Sequence, residues 1–286
     1  MAQAFMSPAD FANWVAVEGL PTNGGKVKLN KYMSQSESNG GSHTSQDLSN
    51  KLNVLMKKAG GEPKFRNYIR MSTGQGYLED FMALWDWMHA HLDDVRTLKV
   101  QTYSVKKNSE GGFTKIAGRV LNLAQVFKEG RPFPAAMGEL IDNGCFGWDC
   151  IGFVSQYLIT ISHLNEYPTW KSNDYHTHGK FTPIKVLEDI GPCCVLVFGD
   201  KHIVLVNLVD YVAVNETTGT LTAKVSISQS YTGGPHSRKD CILMQSPVGN
   251  GRWGPINQTG VIDIQSKCTV GRHDDIEIRY PPYVEV

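Results

Sequence analysis

Helical periodicity governs the first part of the chain and strand alternation the last. In residues 8–18 (PADFANWVAVE), Phe11, Trp14 and Val15 recur at helical spacing behind Ser7, a residue suited to capping a helix start. Residues 48–58 and 76–92 repeat the pattern, the second with Phe81, Leu84, Trp85 and Met88 on one face. Trp85 and Trp87 read as packed core aromatics rather than as a binding surface. Residues 34–45 (SQSESNGGSHTS) are polar and read as loop. Residues 98–105 and 113–120 have strand character on either side of the turn Asn108-Ser-Glu-Gly-Gly112.

From about Gly130 the pattern changes. A helix-sized segment over 151–164 precedes a stretch rich in His, Asn and Pro, and strand-like runs follow at 193–198, 202–212, 221–230, 260–264 and 276–280. The links at 199–201 and 215–220 (NETTGT) suit tight hairpins. One helix followed by a run of antiparallel strands is an α+β arrangement. The expected division is an N-terminal mixed helix and strand region over 1–131, with no role assigned, and a second domain over 132–286. No internal repeat is visible.

Composition narrows the partners. With 286 residues, 41% of them hydrophobic and 20% charged, an ordinary core can form without staples. Lys+Arg and Asp+Glu are both 28, so zero net charge removes the electrostatic argument for nucleic acid or an anionic membrane surface. The apolar runs are strand-sized, and no membrane insertion is expected. Cysteines 145, 150, 193, 194, 241 and 268 are too sparse for a disulfide framework and contain no C-x-x-C pair to hold zinc. The opening Met1-Ala-Gln-Ala-Phe lacks a basic segment ahead of a long apolar one, so the expectation is cytoplasmic synthesis without a signal peptide.

The chemistry concentrates in Gly147-Trp-Asp-Cys-Ile-Gly-Phe-Val-Ser-Gln-Tyr-Leu158. Ile151, Val154, Leu158 and Ile161 form an apolar helical stripe, and Asp149 suits the cap position, which puts Cys150 in the first turn. A thiol there meets the positive end of the helix dipole and free backbone N–H groups, which favour thiolate and could hold an oxyanion. Gly152 would let a substrate backbone come close. A buried structural thiol is the competing reading of Cys150. His202 opens a strand, sharing one face with Val204, Val206 and Leu208 by alternation, and an imidazole beside such a thiol is what activates a cysteine nucleophile. A third group must fix its tautomer. Leu221, Ala223, Val225, Ile227 and Gln229 share the inward face of the next strand, so Gln229 is the polar residue ending that row, with Asp210 and Ser228 next in line. Cys145 reads as a structural rather than a resolving thiol, and Cys193 and Cys194 as core residues alternating across a strand. His176 and His178 form an H-x-H without further metal ligands, and Gly233-Gly-Pro-His-Ser237 reads as a flexible loop.

Asp149-Cys-Ile-Gly-Phe-Val154 resembles the D-C-S-G-hydrophobic-V signature of the NlpC/P60 family of papain-like hydrolases. Gly191-Pro-Cys-Cys-Val-Leu-Val-Phe198 with His202-Ile-Val-Leu-Val206 is similar to that family's strand-turn-HVGIV segment. Ser228-Gln-Ser-Tyr-Thr-Gly-Gly234 resembles the strand that carries its third polar residue. The likeness covers roughly 132–286. Ile151 stands where the family has Ser, and the upstream Tyr-x-x-Gly-Gly is missing, with Phe133 and Phe146 nearby but lacking a hydroxyl.

The resemblance implies a helix carrying Cys150 packed on an antiparallel sheet, and catalysis by Cys150, His202 and Gln229 without a cofactor. It implies amide hydrolysis in peptidoglycan stem peptides, by an antibacterial effector or a lysin. Such a protein would be exported to the target-cell periplasm by dedicated secretion machinery, and its partner would be an immunity protein. A protease or deamidase acting on a host protein, and a catalytically inactive binding module, are the alternatives.

Overall fold

In the computed structural model, which describes residues 6–33, 41–59, 68–161, 163–167, 175, 179–198, 202–231, 233–247, 256–257, 261–263, 268–270 and 275–282, Ser7 starts the first helix as its position predicts. Its hydroxyl accepts from the Asp10 N–H at 3.1 Å and donates to the Asp10 carboxylate at 2.6 Å, and Pro8 follows, where its fixed φ suits a first turn. The helices are α1 (Pro8–Asn13, continued by a π-helical turn over Trp14–Glu18), α2 (Gly41–Ala59), α3 (Tyr68–Met71), α4 (Leu78–Ala90), α5 (Leu92–Arg96), α6 (Leu123–Val126), α7 (Phe133–Asp142) and α8 (Cys150–Thr160). The strands are β1 (Leu20–Thr22), β2 (Gly25–Val27), β3 (Lys99–Lys107), β4 (Phe113–Asn122), β5 (Thr182–Ile184), β6 (Val195–Phe198), β7 (His202–Val214), β8 (Leu221–Tyr231), β9 (Gly234–Gln245), β10 (Ile256–Asn257), β11 (Val261–Asp263), β12 (Cys268–Val270) and β13 (Asp275–Tyr280). The protein is mixed α+β with antiparallel sheets. Among the described residues no helix is long and apolar enough to cross a membrane.

Two compact units emerge, one of Met1–Asn13, Phe153–Ser230 and His236–Val286, the other of Trp14–Gly152 and Tyr231–Pro235. The boundary expected at 131/132 thus falls inside the second unit, which keeps α7 and the start of α8 together with the segments before them.

In that second unit, Leu48, Leu52 and Met56 make the buried stripe of α2, and Phe81, Leu84, Trp85 and Met88 make that of α4. Trp85 and Trp87 are both core, as expected. The Phe81 ring centroid lies 5.7 Å from that of Trp85 and 6.1 Å from that of Trp148, so the segment just before α8 is packed on α4. The predicted 76–92 helix breaks at His91 into α4 and α5. Of the predicted 34–45 loop, residues 41–45 are the first turn of α2, and 34–40 lie outside the described residues. β3 and β4 form the predicted hairpin, its turn closed by the Asn108 N–H on the Gly112 carbonyl at 2.8 Å.

In the first unit the sheet runs β10-β13-β6-β7-β8-β9-β11-β12, with β5 also on β13. One face carries Leu196, Phe198, Val204, Val206, Leu221, Ala223, Val225, Ile227, Ile276 and Ile278, all buried in one core. The predicted inward row of β8 is therefore correct. A one-residue slip would turn the whole row outward, and each buried Leu, Val or Ile in it contributes roughly 1.5–3 kcal/mol. The apolar residues thereby fix where Gln229 sits. In β7 the expected alternation holds through Val206 and then fails. The strand changes register between Val206 and Leu208 and again between Val209 and Tyr211, so Leu208 is 53% exposed while Val209 and Val212 pack toward the core. Cys193 and Cys194 are buried but precede β6 rather than lie on it, because Cys193 takes φ 66°, a left-handed turn conformation. Residues 234–237, expected as loop, begin β9, and the expected 199–201 hairpin lies outside the described residues.

Candidate active site

Asp149 caps α8. Its Oδ1 accepts from the Gly152 N–H at 2.6 Å, and its Oδ2 accepts from Gln75 Nε2 at 2.8 Å. Its own N–H donates to the Gly74 carbonyl at 2.8 Å, and the Trp148 indole N–H donates to the Gly76 carbonyl at 2.9 Å. On the other side, Trp148 N–H bonds the Lys31 carbonyl at 3.0 Å, and Met33 N–H bonds the Trp148 carbonyl at 3.2 Å. The start of α8 is seated in backbone from 31–33 and 74–76. Two glycines make this possible. Gly74 has φ +82°, and a Cβ there would stand 2.0 Å from the Met33 carbonyl oxygen; a Cβ on Gly152 would stand 2.1 Å from the Gly74 carbonyl oxygen. Gly152 therefore makes room for Gly74 of the same chain, in place of the substrate backbone the sequence suggested.

Cys150 is the first residue of α8, as expected, and 6% exposed. The expectation of free first-turn N–H groups needs correction, because those of Ile151 and Gly152 are directed at the Asp149 carboxylate. Burial pushes that carboxyl up to about 7, against the pull of these N–H groups and the Gln75 amide.

His202 opens β7 beside Phe198 of β6, and the side chains of His202 and Gln229 are brought together in the first unit. His202 is 5% exposed and Gln229 is fully buried. The His202 Nε2 lies 2.7 Å from Gln229 Oε1. An amide oxygen only accepts, so the proton is on Nε2 and the lone pair of the neutral ring is on Nδ1. Burial pulls the imidazole down to about 4, with a further lowering from His236, while the bond to Gln229 opposes both. His202 is thus neutral near pH 7, in the tautomer a base requires. Of the alternatives for the third position, Asp210 pairs with Lys224 at 3.8 Å, and Ser228 donates to Asn207 Oδ1 at 2.8 Å.

His236 escaped the sequence reading. Its Nε2 lies 3.1 Å from Gln229 Nε2, which donates to it. The signal was available: the glycine pair 233–234 turns the chain directly after the Gln229 strand, and a returning strand carries His236 back past that residue. Cys145 is fully buried and its thiol is pushed well up by burial, which fits the structural role expected. His176 and His178 lie outside the described residues. Among the described residues no cluster of three His, Cys, Asp or Glu side chains could hold a metal ion. The chain matches no protein-family model, no curated protein and no solved structure.

Proposed function

We propose that the protein is a papain-like cysteine hydrolase of the NlpC/P60 type that cleaves amide bonds in peptidoglycan stem peptides. Cys150 is the nucleophile, His202 the base and Gln229 the group that orients His202. The observation that carries this reading is a buried His202 whose Nε2 lies 2.7 Å from the amide oxygen of a fully buried Gln229. A buried polar pair of this kind costs desolvation and adds little to a sheet core, which favours a chemical role for it. The cap that seats Cys150 at a helix start adds support.

In the proposed reaction His202 Nδ1 takes the Cys150 thiol proton as sulfur attacks the amide carbonyl. Collapse of the tetrahedral intermediate breaks the C–N bond, and the same proton passes from His202 to the leaving amine. Water then gives a proton to His202 and attacks the thioester, and the C–S bond breaks as the proton returns to sulfur. Because the Ile151 and Gly152 N–H groups serve the Asp149 cap, oxyanion stabilisation in this scheme draws on other donors. No cofactor enters. Zero net charge leaves recognition of the anionic cell wall to the shape of a cleft rather than to adhesion.

Mass spectrometry of purified peptidoglycan after digestion tests the reading. New stem-peptide termini with intact glycan linkages should form, vanish with Cys150→Ala and persist with Cys145→Ser. Expression directed to a bacterial periplasm should lyse the cell, as expected of an exported antibacterial effector with an immunity protein. The missing Tyr-x-x-Gly-Gly favours a second reading, a thiol protease or deamidase acting on a host protein. Intact peptidoglycan with toxicity confined to the cytoplasm would select it.

A further inference from the structure

The proposed chemistry needs a single His202 tautomer, and a glutamine alone does not guarantee one. The Gln229 side chain ends in an oxygen and an NH2 that exchange places by a half-turn. With oxygen toward His202, Nε2 keeps its proton and Nδ1 is the base. With the NH2 toward His202, Nε2 must accept and the proton moves to Nδ1, the nitrogen that has to take the thiol proton. Some neighbour must make the two orientations unequal.

His236 is placed to do so. Its Nε2 lies 3.1 Å from the Gln229 amide nitrogen, on the far side of that side chain from His202. An amide nitrogen only donates, so His236 Nε2 accepts, and the neutral ring carries its proton on Nδ1. Hydrogen bonds thus run in one direction from β7 across β8 to β9, from His202 through Gln229 to His236. A second line beside it fixes the spacing. Ser228 donates to Asn207 Oδ1 at 2.8 Å, and its oxygen lies 2.7 Å from Ser237 Oγ, which ties β9 to β8 one residue from the Gln229–His236 pair. The sharp turn before it uses Gly233 at φ +100° and Gly234 at φ +86°.

We propose that His236 is a positioning residue that acts through Gln229. With its own proton on Nδ1, His236 accepts at Nε2 from the amide nitrogen, which holds the amide oxygen on His202 Nε2 and keeps the His202 proton off Nδ1; a proton on His236 Nε2 would favour the reverse orientation. The inference rests on the reading of Cys150 and His202 as nucleophile and base, and the test separates the two. Nitrogen-15 NMR of the histidine rings reports the His202 tautomer directly, and the rate of Cys150 alkylation by iodoacetamide at neutral pH reports the base.

In the native protein the His202 spectrum should show a protonated Nε2. His236→Ala should give a mixture of tautomers and slow alkylation about tenfold, at the low end of losses at residues one step removed from a reacting group. His236→Glu, which offers acceptor oxygens only, should restore both. The deciding comparison is made in the Gln229→Glu background. A carboxylate presents oxygen on both sides and needs no orienting, so adding His236→Ala there should cost less than about twofold. A merely structural His236 would cost the same in both backgrounds, and that result overturns the proposal, as does an unchanged tautomer in His236→Ala. If His202→Ala left the alkylation rate untouched, the nucleophile and base assignment would fall, while the tautomer spectra would still decide the role of His236.

Discussion

Asp149→Asn should stabilise the protein above neutral pH, by an amount that grows with pH and then levels off. The carboxyl of Asp149 is 6% exposed and raised from about 3.8 to about 7 by burial. A raised acid binds its proton more tightly in the folded than in the unfolded chain. Between about pH 4 and pH 7 the unfolded chain therefore loses this proton first, and folding stability falls as pH rises through that window. Integrated over the window, the cost is about 4 kcal/mol, fully expressed above pH 7 and absent below pH 4. Asparagine retains the oxygen that accepts from the Gly152 N–H and has no charge to bury, and Gln75 can turn its own oxygen toward the new amide. His202 acts in the opposite direction. Its imidazole is lowered from about 6.5 to about 4, so stability falls as pH drops through that range, by about 3 kcal/mol. Their opposite pH slopes nearly cancel in the native protein between about pH 4 and pH 6.5, and the difference between variant and native protein isolates Asp149. Urea unfolding followed by tryptophan fluorescence, to which Trp14, Trp85, Trp87 and Trp148 of one unit and Trp170 and Trp253 of the other contribute, should show the variant equal at pH 4 and more stable by up to about 4 kcal/mol at pH 8. A variant less stable than the native protein at pH 8 would mean that the ionised carboxylate is the better cap, and the burial argument would be refuted.

Two further results are expected. The native acid limb of kcat/KM should lie near pH 4 rather than near 6.5, because burial holds His202 neutral, while His202→Ala should lose most activity at neutral pH and regain part of it as pH rises toward the free thiol value near ~8.5; wild-type rates in that variant would remove His202 from the mechanism. Gly152→Ala should destabilise by about 3 kcal/mol or more, since the added carbon meets the Gly74 carbonyl oxygen at 2.1 Å, whereas Gly138→Ala in α7, with open space around it, should be neutral or stabilising by about 0.5–1 kcal/mol; equal effects in thermal melts of the two variants would refute the seat described for α8.

What was legible in the sequence was whatever repeats with the period of its element. The stripes of α2 and α4, the row from Leu221 to Gln229 and the hairpin at Asn108 are patterns a chain cannot hide, because burial selects every second or every third and fourth residue. Departures from period were not legible. Two register changes in β7 expose Leu208, and nothing in HIVLVNLVDYV announces them. Cys193 adopts a left-handed conformation in which glycine or asparagine would have been the expected signal. His236 was lost for a similar reason. A Gly-Gly-Pro run reads as loop by composition, yet here the two glycines turn the chain, Gly234 where a Cβ would stand 2.4 Å from the Asn30 carbonyl oxygen, and the strand resumes at once.

The seat of α8 shows a deeper limit and moves the weight of the functional reading. Asp149-Cys150-Ile151-Gly152 was the most specific motif in the chain, and in the structure most of it answers to folding. Asp149 is the cap, bonded to Gly152 and Gln75. Gly152 is required because the Gly74 carbonyl occupies the space a side chain would fill. Ile151 is a buried apolar residue. Any helix seated this way would need a capping side-chain oxygen and the glycine at the same three-residue spacing, with or without a reacting thiol between them. The motif is thus strong grounds for the local geometry and only partial grounds for chemistry. Folding demands neither a thiol at position 150 nor a buried histidine locked to a buried glutamine across two strands. Those three side chains, and the direction His236 imposes on the pair, are where the hydrolase reading stands or falls.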